Sequence, residues 1–352
     1  MRKWVWVVVF IDLFQAQPAL SFDCGGDDNV YRTFDMGVQY VPRDAPVGSI
    51  IGTANMQYVY TPNTPYLCGF GDQWEARFSD GFTTVQGVRL PQMESGIGSA
   101  TVVRTNVPGV GLVVSTEPPP GFRVLSGTPP YVPYKGKIPG FPNEYASVPV
   151  KFTLVKISND IPAGSSKLDN ALSTINYWSK GTRHHSVFLI GTVVRSECSI
   201  EGSGQVRIDV PMGVIVRRTF RGKDSYSRSN EVLIPMTNCT PGNYPSNQGW
   251  NYYQNANAWL RLDATAGSTI INAGRGLLGL TQESTAKGVA VQVLHKDGVT
   301  AFPLGQEVAI SRLSGSSMNI ELKARYIQTS DSPQGPEPGS ANARAAFTIT
   351  YK

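Results

Sequence analysis

Hydrophobic and polar residues alternate in short runs along most of this 352-residue chain, the two-residue period that places successive side chains on opposite faces of a strand. The clearest run is the last one. Ala345, Phe347, Ile349 and Tyr351 alternate with Ala346, Thr348, Thr350 and Lys352, which predicts a strand with one apolar and one polar face that continues to the final residue. Ahead of it, residues 288–293 run into the tight-turn pair Asp297-Gly298 and then Phe302-Pro303-Leu304-Gly305, so a hairpin is expected there. Another strand is expected over 322–328, and the Pro- and Gly-containing stretch 331–336 reads as the loop that delivers the chain to the last strand. Val206, Ile208 and Val210 alternate with Arg207 and Asp209, and a short apolar run covers 232–234.

The first half has the same texture. Strand-like pieces fall at 33–38, 50–53 and 58–60, then between 78 and 114 with Asp80-Gly81 as a hairpin turn, and again at 148–157, 172–177 and 187–194. Residues 115–149 interrupt them with Pro118-Pro119-Pro120, Pro129-Pro130, Pro133, Pro139 and Pro142, interleaved with Phe122, Tyr131, Tyr134 and Phe141. Proline has no N–H to give to a ladder, so this stretch is expected as loop, edge strand or polyproline backbone, either covering a core or forming a binding surface. No segment keeps a helical period for more than a turn or two, and no longer repeat is present. With 36 glycines, 25 prolines and 16% charged residues, the composition favours an all-β protein.

The length suits two domains, each able to bury its own core. Arg2 and Lys3, the apolar run 4–11 and the small residues near Ala19-Leu20-Ser21 have the layout of a secretory signal peptide over 1–21, with Asp12 an odd member. Four cysteines, Cys24, Cys68, Cys198 and Cys239, make an even number in an exported chain, so disulfides are expected. Three connectivities are open; the positions, two near the head of each half, favour Cys24–Cys68 and Cys198–Cys239. There is no CxxC and no GxSxG, which disfavours redox, zinc and hydrolase chemistry. A net charge of +5 without a basic run does not imply nucleic acid.

The penultimate aromatic Tyr351, the glycine Gly339 fourteenth from the end, and the 288–305 hairpin pattern together resemble the C-terminal signature of pilins assembled by the chaperone–usher route. The whole chain is similar in plan to two-domain fimbrial tip adhesins, such as those of type 1 and type 3 fimbriae. The resemblance implies two immunoglobulin-like β-sandwiches: a receptor-binding domain over 22–193 and a pilin domain over 194–352 that lacks its last strand. A donor strand would complete it, first from a periplasmic pilus chaperone and then, after passage through an outer-membrane usher, from the adjacent pilin subunit. Phe347, Ile349 and Tyr351 would face the groove, and the chaperone would hold the carboxylate of Lys352. With a whole domain where a pilin keeps its donor extension, the subunit would accept a strand without donating one, and so cap the fibre at the bacterial surface. A non-adhesive cap or initiator subunit is the nearest alternative, a secreted β-rich hydrolase a remoter one.

Binding a host glycan or a matrix protein would fall to the first domain. Sugar recognition wants planar amides and carboxylates for hydroxyl pairs and an aromatic face for the ring's C–H surface. Asp72, Gln73, Trp74 and Arg77 after Cys68 make one such set, and Asn176, Tyr177 and Trp178 with Arg183, His184 and His185 a second. The bland reading of the first is a sandwich tryptophan with solvated neighbours. After cleavage Phe22 would stand near the new N-terminus, as in mannose-binding relatives, but Phe70 and Gly71 replace the polar pair those lectins carry. Neighbouring histidines on a strand face opposite ways, so no metal is expected, and no cofactor or catalytic residue either.

Overall fold

The computed structural model describes residues 30–59, 73–90, 100–118, 121–137, 147–169, 174–179, 182–200, 206–244 and 255–352. Phe22, Cys24, Cys68, Asp72 and the 1–21 leader lie outside them. The protein is all-β: among the described residues the helical segment is one 3-10 turn at Arg217–Thr219. No described helix is long and apolar enough to cross a membrane.

Twelve strands form one hydrogen-bonded network in the first part of the chain. They are β1 (Val30–Pro42), β2 (Ile50–Val59), β3 (Gln73–Phe78), β4 (Thr84–Val85), β5 (Val102–Arg104), β6 (Val110–Thr116), β7 (Arg123–Thr128), β8 (Tyr131–Lys137), β9 (Ser147–Lys156), β10 (Gly164–Asp169), β11 (Ile175–Ser179) and β12 (Thr182–Ser196). One run of neighbours is β1-β12-β11-β3-β8 and the other β2-β9-β6-β5-β4, joined where Ser115 of β6 meets Tyr131 of β8. The runs share one core, with Trp74, Tyr134, Tyr177 and Leu189 from the first packed with Leu112, Val114, Phe152 and Leu154 from the second. Alternation inward and outward along β3 and β8 follows the two-residue period, while β6 is buried along nearly its whole length.

Within the proline-dense stretch the described residues 121–137 form strands, with β7 at an edge as one of the expected outcomes. β7 and β8 make a hairpin around Pro129-Pro130, and β8 lies between β7 and β3. Proline is tolerated there because the β8 ladders cover 134–137 and then Tyr131, leaving Pro133 at an irregularity where no N–H is called for. Asp80-Gly81 does turn, but its flanking strands pair elsewhere, β3 with β8 and β11 and β4 with β5.

Among the described residues the second part holds nine strands in two sheets. β13 (Ser199–Ile200), β14 (Asn230–Thr237), β20 (Met318–Gln328), β18 (Val289–His295), β17 (Leu277–Leu278) and β16 (Ile270–Asn272) form the larger sheet in that order; β19 (Val308–Arg312), β15 (Asn257–Ala264) and β21 (Ala345–Tyr351) form the smaller. Ile234, Val291, Val293, Ile320 and Leu322 of the one pack on Ala258, Leu260, Ile349 and Tyr351 of the other. Cys198 and Cys239 are joined by a disulfide, which closes a loop of the size worth about 3–4 kcal/mol.

Asp297-Gly298 forms the expected turn after β18, with Gly298 at φ +73°. The Asp297 carboxylate accepts from the Thr300 hydroxyl at 2.6 Å and from the Val299 and Thr300 N–H groups at 2.9 Å each. Those bonds, the hydroxyl's first, hold its pKa down at about 2, below the roughly 3.9 of an unfolded aspartate. The stabilisation is therefore present above the unfolded value and is lost as pH falls through about 2. Asp297→Ala is expected to be less stable than the parent at pH 7, with the two denaturant midpoints converging near pH 2.

Candidate functional site

β21 pairs with β15 along one edge, from Ala345 opposite Ala264 to Tyr351 opposite Ala258. Beyond it, Lys352 and Asn257 exchange two backbone bonds, of 3.0 and 2.7 Å. In an antiparallel ladder such doubly bonded pairs recur at every second residue. The backbone groups of Ala346, Thr348 and Thr350 therefore face β15, and those of Ala345, Phe347, Ile349 and Tyr351 face the opposite way. On that outer side Ala345 and Phe347 find no backbone partner among the described residues, and neither does the N–H of Ile349.

A groove of about 2050 Å³ lies along this open edge. Its apolar surface comes from Ile234, Val291, Val293 and Leu322 of the larger sheet and from Phe347, Ile349 and Tyr351 of β21. The segment 206–216 also lines it. Val206, Ile208, Val210 and Met212 of that segment are half-buried while Arg207, Asp209 and Pro211 are exposed, the alternation of a strand. Yet among the described residues it belongs to no ladder. Val214 at its far end is 97% exposed.

The end of the open edge is occupied by the loop that follows β1. The Asp44 N–H donates to the Tyr351 carbonyl at 3.0 Å, the Tyr351 N–H donates to the Asp44 carboxylate at 2.8 Å, and the Arg43 guanidinium donates to the Ile349 carbonyl at 2.8 Å. Arg43 also covers the Tyr351 ring at 4.6 Å and lies beside Glu197, which pairs in turn with Arg195. The loop is held from below, since Lys156, 1% exposed, donates its ammonium to the Arg43 carbonyl at 2.6 Å. Burial lowers the pKa of Lys156, and burial raises that of Tyr351, whose hydroxyl donates to the Cys198 carbonyl at 2.9 Å. No signal in the sequence announces Arg43 and Asp44, which lie some three hundred positions from their partners. Gly339 acts upstream: a Cβ there would stand 2.4 Å from the Ala286 nitrogen, so glycine lets Ser340 bond to Thr285 and Ala286 and aim the chain into β21.

The two receptor-site sets of the first part converge, because β3 and β11 are hydrogen-bonded neighbours. Their members do not share a surface. Trp74 is 2% exposed and packs among Phe122, Tyr134 and Tyr177 at centroid distances of 5.3–5.8 Å. A Cβ at Gly136 would meet the Phe122 ring at 2.3 Å, so that glycine admits the ring over β8. Tyr177 is buried too, and its hydroxyl donates to Thr116 Oγ1. Asn176 is buried between Ser79 and Ser186, donating to one and accepting from the other. Trp74, Asn176 and Tyr177 are thus core residues, and none presents a face to a ligand. Gln73 is exposed, and the Arg77 guanidinium stacks on the half-buried Trp178 ring at 3.8 Å. Arg183 and His185 are in β12 in register with Trp178 and Tyr177, with His184 between them. Among the described residues no cluster of metal-ligating side chains occurs.

Residues 188–352 match the family model described as Fimbrial protein. That match covers just under half of the chain. No curated protein matches the chain. Among solved structures, the receptor binding domain of the adhesin MrkD1P of Klebsiella pneumoniae is similar at 21% identity, covering 49% of this chain and 95% of that one, with a TM-score of 0.35. The CupB6 tip adhesin of Pseudomonas aeruginosa is similar at 14% identity over 88% of this chain and 89% of that one, with a TM-score of 0.38. Similarity at this level assigns neither receptor nor partner.

Trp74→Ala is expected to destabilise the chain by about 3–5 kcal/mol through the cavity it leaves, measured by chemical denaturation. Asp44→Ala removes the carboxylate acceptor of the Tyr351 N–H at a cost of about 1 kcal/mol. Amide exchange at Tyr351 should speed up while exchange in β18 and β20 is unchanged.

Proposed function

We propose that the chain is the tip adhesin of a chaperone–usher fimbria, with residues 22–193 as a receptor-binding domain and 194–352 as a pilin domain that takes its last strand from a partner. One observation carries this reading: the unpaired edge of β21 and the unladdered segment 206–216 both line one apolar groove. A guest strand between them would satisfy both rows of backbone groups and cover Phe347 and Ile349, which is strand addition at an exposed edge. The family match over 188–352 supports the same assignment. Exposed edges of this kind promote aggregation unless they are covered, which accounts for a periplasmic chaperone as first occupant and a neighbouring pilin as the second, with an usher between them.

The position at the tip is supported by the twelve-stranded unit that precedes the fimbrial domain, where a pilin that donates a strand has a short extension. The activity is attachment of the bacterium to a host glycan or matrix protein, without turnover. A non-adhesive cap would share the groove and lack the receptor.

Truncation after Ala346, which removes Phe347 to Lys352, should abolish recovery of the chain with its chaperone from the periplasm. Phe347→Asp should lower that recovery at least tenfold by placing a charge in the apolar groove. Undiminished recovery of both variants as soluble monomers would refute the strand-acceptor reading. Array binding of the full chain to glycans and matrix proteins then separates adhesin from cap.

A further inference from the structure

The face of β7, β8, β3 and β11 opposite the Trp74 side is cationic. Residues directly opposite in an antiparallel ladder share a face, so the register places Arg123 beside Lys137, Lys137 beside Gln73, Lys135 beside Glu75, and Glu75 beside Trp178. Arg77, two positions along from Glu75, joins that face, as its stacking on Trp178 shows. Four cations are thus spread over three adjacent strands, β7, β8 and β3, with a single carboxylate among them. Neighbouring strands are spaced at about 4.8 Å, and same-face residues on one strand about 6.8 Å apart.

Arg123 and Lys137, both exposed, are like charges placed directly opposite, an arrangement that costs a sheet stability. No acid among the described residues forms an ion pair with Arg123, Lys135 or Lys137. Packing does not explain the arrangement either, since β7 is exposed along its whole length. A repulsive cation pair on an open sheet is relieved by an anion from outside, and a row of such positions suits a polymer with repeated anions.

Resting on the adhesin reading, we propose that this face is the receptor site and that its ligand is an anionic polysaccharide. Arg123, Lys135 and Lys137 take the sulfate or carboxylate groups, and the free amide of Gln73 takes a hydroxyl pair. Arg77 is held in place by Trp178. A nucleic acid strand is a poorer fit, because it wants a ladder of open aromatic faces and the one indole here already carries Arg77.

The test immobilises the full-length chain and measures binding of heparin, polygalacturonate, dextran, an oligonucleotide and polyglutamate at about 50 mM and 300 mM salt, conditions that separate charge-driven binding. Heparin or polygalacturonate should bind and weaken steeply with salt, heparin ahead if sulfate is the preferred group and polygalacturonate ahead if carboxylate is. Arg123→Glu with Lys137→Glu should weaken binding at least about tenfold, while Lys287→Glu, a charge change in the fimbrial domain, should not. Lys137→Glu alone puts opposite charges across the ladder, so binding should fall while thermal stability holds or rises, which separates ligand contact from folding. Polyanion binding unaffected by the double reversal would overturn the site, and equal binding of the oligonucleotide or polyglutamate would overturn the polysaccharide. Binding of dextran alone, or silence toward all five probes, would overturn the inference and leave the adhesin reading to the glycan and matrix-protein array.

Discussion

An unpaired row of backbone groups on a strand that also supplies core side chains is the constraint on which the C-terminal part of the chain depends. β21 cannot be withdrawn from the core, because Ile349 and Tyr351 are buried against Leu260 and Ile320. Nor can it be completed from within, since β15 occupies one edge and the described chain offers no strand for the other. Water satisfies such groups only where the apolar neighbours are left wet as well, so hydrogen bonding and hydrophobic burial both favour an inserted strand. The half-buried alternation of Val206, Ile208, Val210 and Met212 without a ladder is the same constraint seen from the opposite wall.

The chain supplies part of the missing edge from its own first half. Arg43 and Asp44 reproduce what a neighbouring strand would do at Ile349 and Tyr351, a main-chain donor to one carbonyl and side chains for the other groups. The result is a groove whose unsatisfied stretch is confined to the 345–349 region, with the Tyr351 end tied to the first part of the molecule. That tie is polar and charged, and it rests on the Lys156 ammonium and the Glu197–Arg195 pair beneath it. Such contacts are sensitive to geometry, whereas the apolar floor of the groove tolerates different occupants.

In the first part of the chain, the two faces of one sheet differ in character. The inward face of β3, β8 and β11 carries Trp74, Tyr134 and Tyr177, whose rings pack together, and the two tyrosines donate their hydroxyls to Thr116. The outward face carries the cations and the Arg77–Trp178 stack. A period of two assigns neighbouring residues to these faces, so Trp74 and Gln73, adjacent in the chain, have unrelated roles.

Much of the architecture was legible in the residues. Alternation identified β18, β20 and β21, Asp297-Gly298 marked its turn, and the cysteine positions suggested the Cys198–Cys239 pairing, because each is a local pattern or a simple consequence of order along the chain. Strand type was also legible in Val206 to Val210, but the absence of a ladder was not, since pairing depends on what lies alongside. The proline-rich stretch left loop, edge strand and polyproline backbone open for a related reason: proline forbids an N–H bond, and only the register of β7, β8 and β3 decides where one is not needed. Trp74, Asn176 and Tyr177 had the right chemistry for a sugar site, and burial removed them from the surface: Trp74 and Tyr177 because their face of β3 and β11 meets β6 and β9, Asn176 because it is enclosed with Ser79 and Ser186 on the other. Sequence alone thus determined the strands, the turns and the apolar face of the last segment, which depend on near neighbours. Tertiary structure decided the open edge, the Arg43–Asp44 cap and the cationic face, because each is made by residues that become neighbours only when distant strands come into register.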